Sequence, residues 1–327
     1  MVNQQVPESL WPRAPRRRDS SGAGLPRQLS RRFDVKRVIG CGGSSDAIEA
    51  FDRVSGRPVV LKIQLPVEQG SSISGTFRFE REVEALSSIE HPHVVQLLDE
   101  LDLVDGRKVL VLERLAELTL EDVLLRMGSL AIQDLVTIGL QLLSACTAVH
   151  QSGWVHRDIK PANISIRMVP RLKVVLFDFG LALGVRGRDS VVHSERATRT
   201  GWVLGTPAYM PPEQIAGSGA TPQSDLYAVC VLLYEAATGV MPFGGQGSEL
   251  LVGHMNGVCS SLEAAHPGRP CLADLSTFIL RGLAKNPRDR FRDCAEARDE
   301  LLALKKVHGS RWAREEMLRL DELADLG

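Results

Sequence analysis

The stretch VHRDIKPANISI, Val155 to Ile166, places His156, Arg157, Asp158, Lys160 and Asn163 within eight residues, between apolar ends. Five polar or charged groups so close together are too many for a core strand, and the flanks are too apolar for a solvated tail. A second stretch follows, VVLFDFGLA, Val174 to Ala182: an apolar, β-type run ending in a lone Asp178, with Gly180 two residues on. Two carboxylates, one amide and one ammonium thus fall in two neighbouring loops. Carboxylate and amide oxygens suit a small hard cation that completes its shell with other oxygens, and an ammonium neutralises an anion. The competing reading is a surface loop with a chance cluster of charges. It accounts for the first stretch but not for the second.

The elements that must position these loops are legible as changes of period. FDVKRVIG from Phe33 alternates, CGGSSD turns, AIEAFDRV alternates again, SGR turns, and PVVLKIQL reads as a third strand. A helix is predicted over Phe77–Ile89, with Phe79, Val83 and Leu86 on one face and His91-Pro92 as its stop. Two more strands fit VVQLLDELDL and KVLVLERL, joined at Asp105-Gly106. Beyond them the pattern is helical: Leu118–Met127, Ile132–Gln151, Ser224–Thr238, near Glu249–Met255, Leu272–Leu283 and Ala295–Lys305, with short strands at 164–168 and 172–177. RWAREEMLRLDELADL at the end reads as one more amphipathic helix, and there is no internal repeat.

The 327 residues, 44% hydrophobic and 24% charged, suit one two-lobed unit or two domains. The net charge of −1 is unevenly spread. Residues 1–32 carry seven arginines against Glu8 and Asp19, a net +5, and the remaining 295 residues sum to −6. This basic arm, rich in Pro, Ser and Gly, is expected to be disordered, and its charge alone favours anionic surfaces without implying a specific nucleic-acid partner. Its RRDS and RQLS stretches, Arg17–Ser20 and Arg27–Ser30, are candidate phosphoacceptors. None of the six cysteines forms a C-x-x-C pair, which points to reduced thiols. No apolar run approaches the ~18 residues of a membrane span, so no transmembrane segment and a cytoplasmic location are expected.

In the order and spacing of its motifs the chain resembles the Hanks-type serine/threonine protein kinases of bacteria, from Phe33 to about Lys306. The resemblance implies an α+β, two-lobed protein kinase fold, with a small five-stranded β lobe carrying one helix and a larger, mainly helical lobe. Its expected boundaries are a basic arm over 1–32, an N-lobe over 33–115, a C-lobe over 116–308 and a C-terminal helix over 309–327. It implies transfer of the γ-phosphate of ATP, with Mg²⁺, to Ser or Thr hydroxyls of protein substrates, a reaction that needs positioning and charge neutralisation more than covalent chemistry. Asp158 would accept or orient the proton of the substrate hydroxyl, and Lys160 would neutralise the γ-phosphate. Asn163 and Asp178 would hold the metal. Lys62 in VVLK would hold the α- and β-phosphates and pair with Glu82, while Glu80 and Glu84 point to other faces. Gly40, Gly42 and Gly43 in IGCGGSSD let backbone N–H groups approach phosphate. Ser45 replaces the third glycine of the pattern and adds a hydroxyl. KPAN and Thr206 are the serine/threonine form of these motifs. The P-P-E at Pro211–Glu213 implies a buried Glu213–Arg290 pair, and Asp225 resembles the helix residue that braces the catalytic loop.

By the same resemblance the hinge is Glu113–Leu115, with Leu112 as gatekeeper. Ala47 and Val60 form the roof of the adenine site, a roughly volume-conserving exchange. Ser165 stands where a large aliphatic floor residue is usual, which implies an ATP affinity weaker by ~1–3 kcal/mol of lost burial. Arg157 before Asp158 implies activation by a phosphate on the loop at 184–205, with Thr198 and Thr200 preferred over Ser190 and Ser194. Transient pairing of two copies for phosphorylation in trans is the expected self-association. A pseudokinase scaffold and a small-molecule kinase of related fold are the rival readings. The missing third glycine and Ser165 support the first. The activation-segment anchor and its arginine partner oppose the second.

Overall fold

The computed structural model describes residues 27–42, 44–66, 74–184, 207–267 and 272–324. The chain forms two units: one holds the chain up to Val83 together with Leu97–Arg114, the other holds Glu84–Gln96 and Leu115 onward. Gly43, Thr198, Thr200 and Thr206, and the whole arm before Arg27, lie outside the described residues.

The β-rich unit is one antiparallel sheet of β1 (Phe33–Cys41), β2 (Ser45–Asp52), β3 (Arg57–Gln64), β4 (Leu97–Asp102) and β5 (Lys108–Glu113), in the order β1-β2-β3-β5-β4. Alternation does the sorting in β3: Val59, Leu61 and Ile63 are buried, and Lys62 between them faces the other way. The helix α2 (Ser74–Ser88) begins three residues earlier than its apolar period shows.

Order begins before Phe33, contrary to the boundary read from composition. The four-residue helix α1 (Arg27–Ser30) seats Leu29, only 3% exposed, in a core shared with Phe33, Val59, Leu61, Leu103 and Val109. Arg32 then binds Asp52 at 2.9 and 3.0 Å and Asp99 at 2.5 Å. Its hydrogen bonds hold the buried Asp52 carboxyl down at about 2, against the cost of burial. A buried leucine followed three residues on by a doubly paired arginine fastens 27–32 to the sheet, although the surrounding arginines and serines give no periodic signal.

The strand expected over VVQLLDELDL begins only at Leu97, as β4, and its first residues, Val94 to Gln96, belong to the second unit. Val94 bridges Leu176 instead, and the Val95 N–H donates to the Leu176 carbonyl at 2.9 Å. These bonds place Glu84–Gln96 with the helical unit rather than with the sheet. Its helices are α3 (Leu120–Met127), α4 (Ile132–Gln151), α5 (Pro212–Ile215), α6 (Pro222–Thr238), α7 (Ser248–Asn256), α8 (Leu262–Ala265), α9 (Ala273–Gly282) and α10 (Cys294–Ala324). Thr119 and Asp122 close a capping box at the start of α3, as Thr221 and Ser224 do at the start of α6. The sequence divides the last 31-residue helix in two near Gly309, whereas the structure runs it without a break and buries Trp312.

One helix, Ile132–Gln151, is long and apolar enough to cross a membrane by length and composition, which corrects the expectation that no run comes close. Its apolar residues are used inside the unit: Leu135, Ile138, Leu142, Leu143, Ala145 and Val149 are fully buried.

Leu29→Ala tests whether α1 belongs to the core. Removing a nearly buried leucine is expected to lower the unfolding free energy by about 2–4 kcal/mol in urea titration. An unchanged midpoint would return residues 27–32 to the status of a tail.

Candidate functional site

Two short strands lead into and out of the first loop: Trp154–Val155 (β6) and Ile164–Arg167 (β7). Lys173–Leu176 (β8) pairs antiparallel with β7 and delivers the chain to Asp178, and Leu183–Gly184 (β9) pairs back onto β6. The two-residue strands β6 and β9 have no signal in sequence.

The structure brings Asp158, Lys160 and Asn163 together. Lys160 Nζ donates to Asp158 Oδ2 at 2.8 Å, and Asn163 Nδ2 donates to the same oxygen at 3.0 Å and to the Asp158 carbonyl at 2.8 Å. The amide nitrogen of Asn163 is thereby used inside the loop, which turns its Oδ1 to other partners. The Phe177 N–H donates to the Asn163 carbonyl at 3.0 Å, so the backbone just before Asp178 is tied to Asn163. Asp178 is exposed and takes a left-handed backbone, φ 64°, and a Cβ at position 180 would stand only 3.3 Å from Asp178 Oδ1. The glycine after Phe179 therefore keeps space beside this carboxylate.

Beneath the loop lies Asp225, 1% exposed, in the first turn of α6. Its Oδ2 accepts the His156 N–H at 2.8 Å and a bond from His150 Nε2 at 2.8 Å, and its Oδ1 accepts the Arg157 N–H at 2.9 Å. Burial pushes this carboxyl up, but the His150 bond and the N–H groups outweigh it and hold it below the ordinary carboxylate range. Arg157 is the other non-glycine residue with positive φ among the described residues, at 73°. Such a turn costs about 1–3 kcal/mol, and two N–H bonds to one buried carboxylate hold it there.

The sequence pattern does not single out His150 and gives His156 no role. His150 ends α4 and reaches Asp225 across 75 residues of sequence, a contact that no local pattern shows. His156 is fully buried, with its ring edge-on to Phe179 at 4.6 Å. Its Nδ1 accepts the Asp158 N–H at 3.3 Å, which leaves Nε2 as the donor to the Phe177 carbonyl at 3.3 Å. One imidazole therefore links both loops.

Glu213 and Arg290 form a two-point pair, with both contacts at 2.8 Å. The Arg290 side chain is 0% exposed, and its guanidinium also donates to the carbonyls of Gln223, Ala284 and Lys285. Ser224 Oγ donates to Glu213 Oε1 at 2.7 Å. Burial raises the Glu213 carboxyl, and the Arg290 and Ser224 bonds bring it below its ordinary value.

Within the β-rich unit, Lys62 Nζ lies 2.6 and 2.7 Å from the two oxygens of Glu82, whose side chain is 3% exposed, while Glu80 and Glu84 are exposed. Gly40 and Gly42 stand at the end of β1, and the Gly42 N–H donates to the Ser45 carbonyl at 2.9 Å. Ser45 is buried at the start of β2 and closes this turn through its backbone, rather than standing exposed as an extra donor. Ala47 pairs with Lys62, and Val60 with Leu112, in the ladders on either side of β3. Glu113 ends β5 in this unit, and Leu115 opens the next segment of the helical unit. Ser165 belongs to the helical unit. It is 5% exposed, and its hydroxyl donates to the Ala116 carbonyl at 3.3 Å. Ser165 is thus pinned to the segment that follows Leu115.

Two lobes, a lysine–glutamate pair joining sheet to helix and an Asp-Lys-Asn loop braced from below define a protein kinase domain. The chain belongs to the protein kinase domain family, which matches residues 33–301. It is 34% identical over 264 residues to serine/threonine-protein kinase PknE of Mycobacterium tuberculosis, covering 81% of this chain and 44% of that protein. It is 33% identical over 268 residues to serine/threonine-protein kinase PrkC of Bacillus subtilis, covering 82% and 39%. It is 32% identical over 287 residues to serine/threonine-protein kinase PknB of Mycobacterium tuberculosis, covering 86% and 44%. The chain spans about two fifths of the length of the curated relatives it matches.

Removing one side of the buried pair with Arg290→Met should strand Glu213 and lower stability by ~3–5 kcal/mol. The pH dependence follows from the lowered Glu213 carboxyl. Its stabilisation is present above the ordinary carboxylate range and is lost as pH falls through the folded value. Wild type is expected to lose denaturation midpoint on acidification below about pH 4.5 and Arg290→Met to lose less. Equal acid sensitivity in the two proteins would contradict the assignment.

Proposed function

We propose that this chain is an ATP- and Mg²⁺-dependent protein kinase that transfers the γ-phosphate of ATP to Ser and Thr hydroxyls of protein substrates. The observation that carries the reading is the shared oxygen of Asp158. Lys160 and Asn163 both donate to Oδ2, in a loop whose backbone is fixed by a buried carboxylate. Oδ1 of Asp158 then takes or orients the proton of the incoming hydroxyl. Lys160 lies 2.8 Å from the same carboxylate and supplies positive charge to the phosphoryl oxygens. Lys62, held by Glu82, supplies a second cation for the α- and β-phosphates.

The donor set fits the metal. Asp178 offers an exposed carboxylate and Asn163 an amide oxygen, both hard ligands. When bound, Mg²⁺ neutralises phosphate charge. Glycine N–H groups of the β1–β2 turn, together with Ala47, Val60, Glu113, Leu115 and Ser165, are the residues we assign to the nucleotide. Phosphorylation of Thr198 and Thr200, by a second copy of the chain, supplies the anion that neutralises Arg157. We place the reaction in the cytoplasm, where ATP is available.

Label transfer from γ-labelled ATP to casein, followed by phosphoamino acid analysis, tests the reading. Wild type is expected to label serine and threonine and not tyrosine. Asp158→Asn should reduce the rate by ~10²-fold or more, and Thr198→Ala with Thr200→Ala should lower it less. Nucleotide binding without any transfer by wild type would favour a scaffold instead.

A further inference from the structure

The sheet face that carries Lys62 also carries a charged cluster to which no role above belongs. Ala47 and Glu49 are two residues apart in β2 and share a face. Ala47 is paired with Lys62 and Glu49 with Val60, so Glu49 lies on the face of Lys62 and Val60. Arg37 of β1 stands directly opposite Glu49, and its Nε donates to Oε2 at 2.8 Å. Arg114, the residue after Glu113, donates from Nε to Oε1 at 3.1 Å. β2 and β5 are not neighbours, because β3 lies between them. The bond to Arg114 therefore crosses a whole strand, a span of ~10 Å between backbones. The Glu49 side chain is 15% exposed and that of Arg114 28%. The Glu49 carboxyl is held below its ordinary value, first by the bond to Arg37 and then, against the cost of burial, by Arg114.

Backbone irregularity gives this cluster a task. The β1 ladder is bulged between Val35 and Arg37 and again between Val38 and Gly40, on both sides of the Arg37–Glu49 pair. Bulges bend a strand and loosen its ladder. The turn that carries Gly40 and Gly42 thus hangs on a strand whose regular pairing is interrupted twice, and one side-chain pair pins it between the interruptions. The same carboxylate holds the chain where it leaves β5.

We infer that Glu49 is a positioning residue for the nucleotide, a clasp that sets how closely the β1–β2 hairpin is held to residues 113–114 and so where the Gly40 and Gly42 backbone stands relative to the phosphates. The inference deepens the kinase reading and rests on it. One oxygen serves each arginine, so loss of the carboxylate removes at once the bond from β2 to Arg37 and the bond from β2 to Arg114.

The test uses the full chain and titrates Mg-ADP by calorimetry into wild type, Glu49→Gln, Arg114→Met and the double variant. Each single change is expected to raise the Mg-ADP dissociation constant roughly three- to tenfold. The double change should add little to either, because both remove the same clasp. The ATP KM should rise in parallel while kcat at saturating ATP and the KM for casein hold. Unchanged affinity in Glu49→Gln overturns the inference, as do additive effects. So does a loss of kcat and melting temperature without a change in affinity, the signature of a purely structural pair. A wild type that binds Mg-ADP but transfers no phosphate would sink the kinase reading alone, and the affinity comparison would still decide the clasp. A wild type that binds no nucleotide would overturn both.

Discussion

A single buried carboxylate is the constraint on which the loop of Asp158, Lys160 and Asn163 depends. Asp225 has lost nearly all contact with water, and an ionised group there is held by three hydrogen-bond donors to its two oxygens. Two of these donors are the consecutive N–H groups of His156 and Arg157. Fixing two consecutive N–H groups fixes the plane of the chain between them. That is what forces Arg157 into a left-handed turn and sends Asp158, Lys160 and Asn163 to one side. The start of α6 also presents its own free N–H groups, which favours negative charge at this position.

The same helical turn carries a second function one residue earlier. Ser224 caps Thr221 and donates to Glu213, whose other partner is the fully buried Arg290. The loop that holds the acidic and amide groups and the anchor at the far end of residues 185–206 are thus both referred to the first turn of one helix. α4 supplies the remaining piece: its apolar body fills the helical unit, and its last turn brings His150 to Asp225. Rigid helices therefore set the positions of loops that have no regular structure of their own, which suits a reaction that depends on placement. In the β-rich unit Lys62 of β3 is held by Glu82 of α2, and the β1–β2 hairpin is tied from its side by Glu49.

Much of this was legible. The bounds of α4 follow from its apolar period residue for residue, and the five strands follow from alternation and turns. Asp158, Asn163 and Asp178 stand out because polar groups interrupt apolar runs. The pairing of Lys62 with Glu82 follows from the family resemblance, with helical phase setting Glu80 and Glu84 on other faces. What the sequence hides is contact at long range or contact set by register. His150 meets a partner 75 residues away. Glu49 looks like an ordinary exposed strand residue until the register places it between two arginines on different strands. Leu29 is one apolar residue in a basic, Pro- and Ser-rich stretch, so composition outweighs it. The sequence pattern separates a helix ending at Lys305 from one starting at Arg311, yet one helix runs through both and buries Trp312.

The most direct test of the account is single-turnover phosphoryl transfer by Asp225→Asn, with Mg-ADP affinity measured on the same sample. An amide in place of the carboxylate keeps the size of the side chain but turns a donor toward N–H groups and halves the acceptors. If the buried carboxylate positions the catalytic loop, nucleotide affinity should stay within about twofold while transfer slows ~10²-fold. Transfer at the wild-type rate, or a loss that merely tracks nucleotide affinity, would contradict the central place given to Asp225.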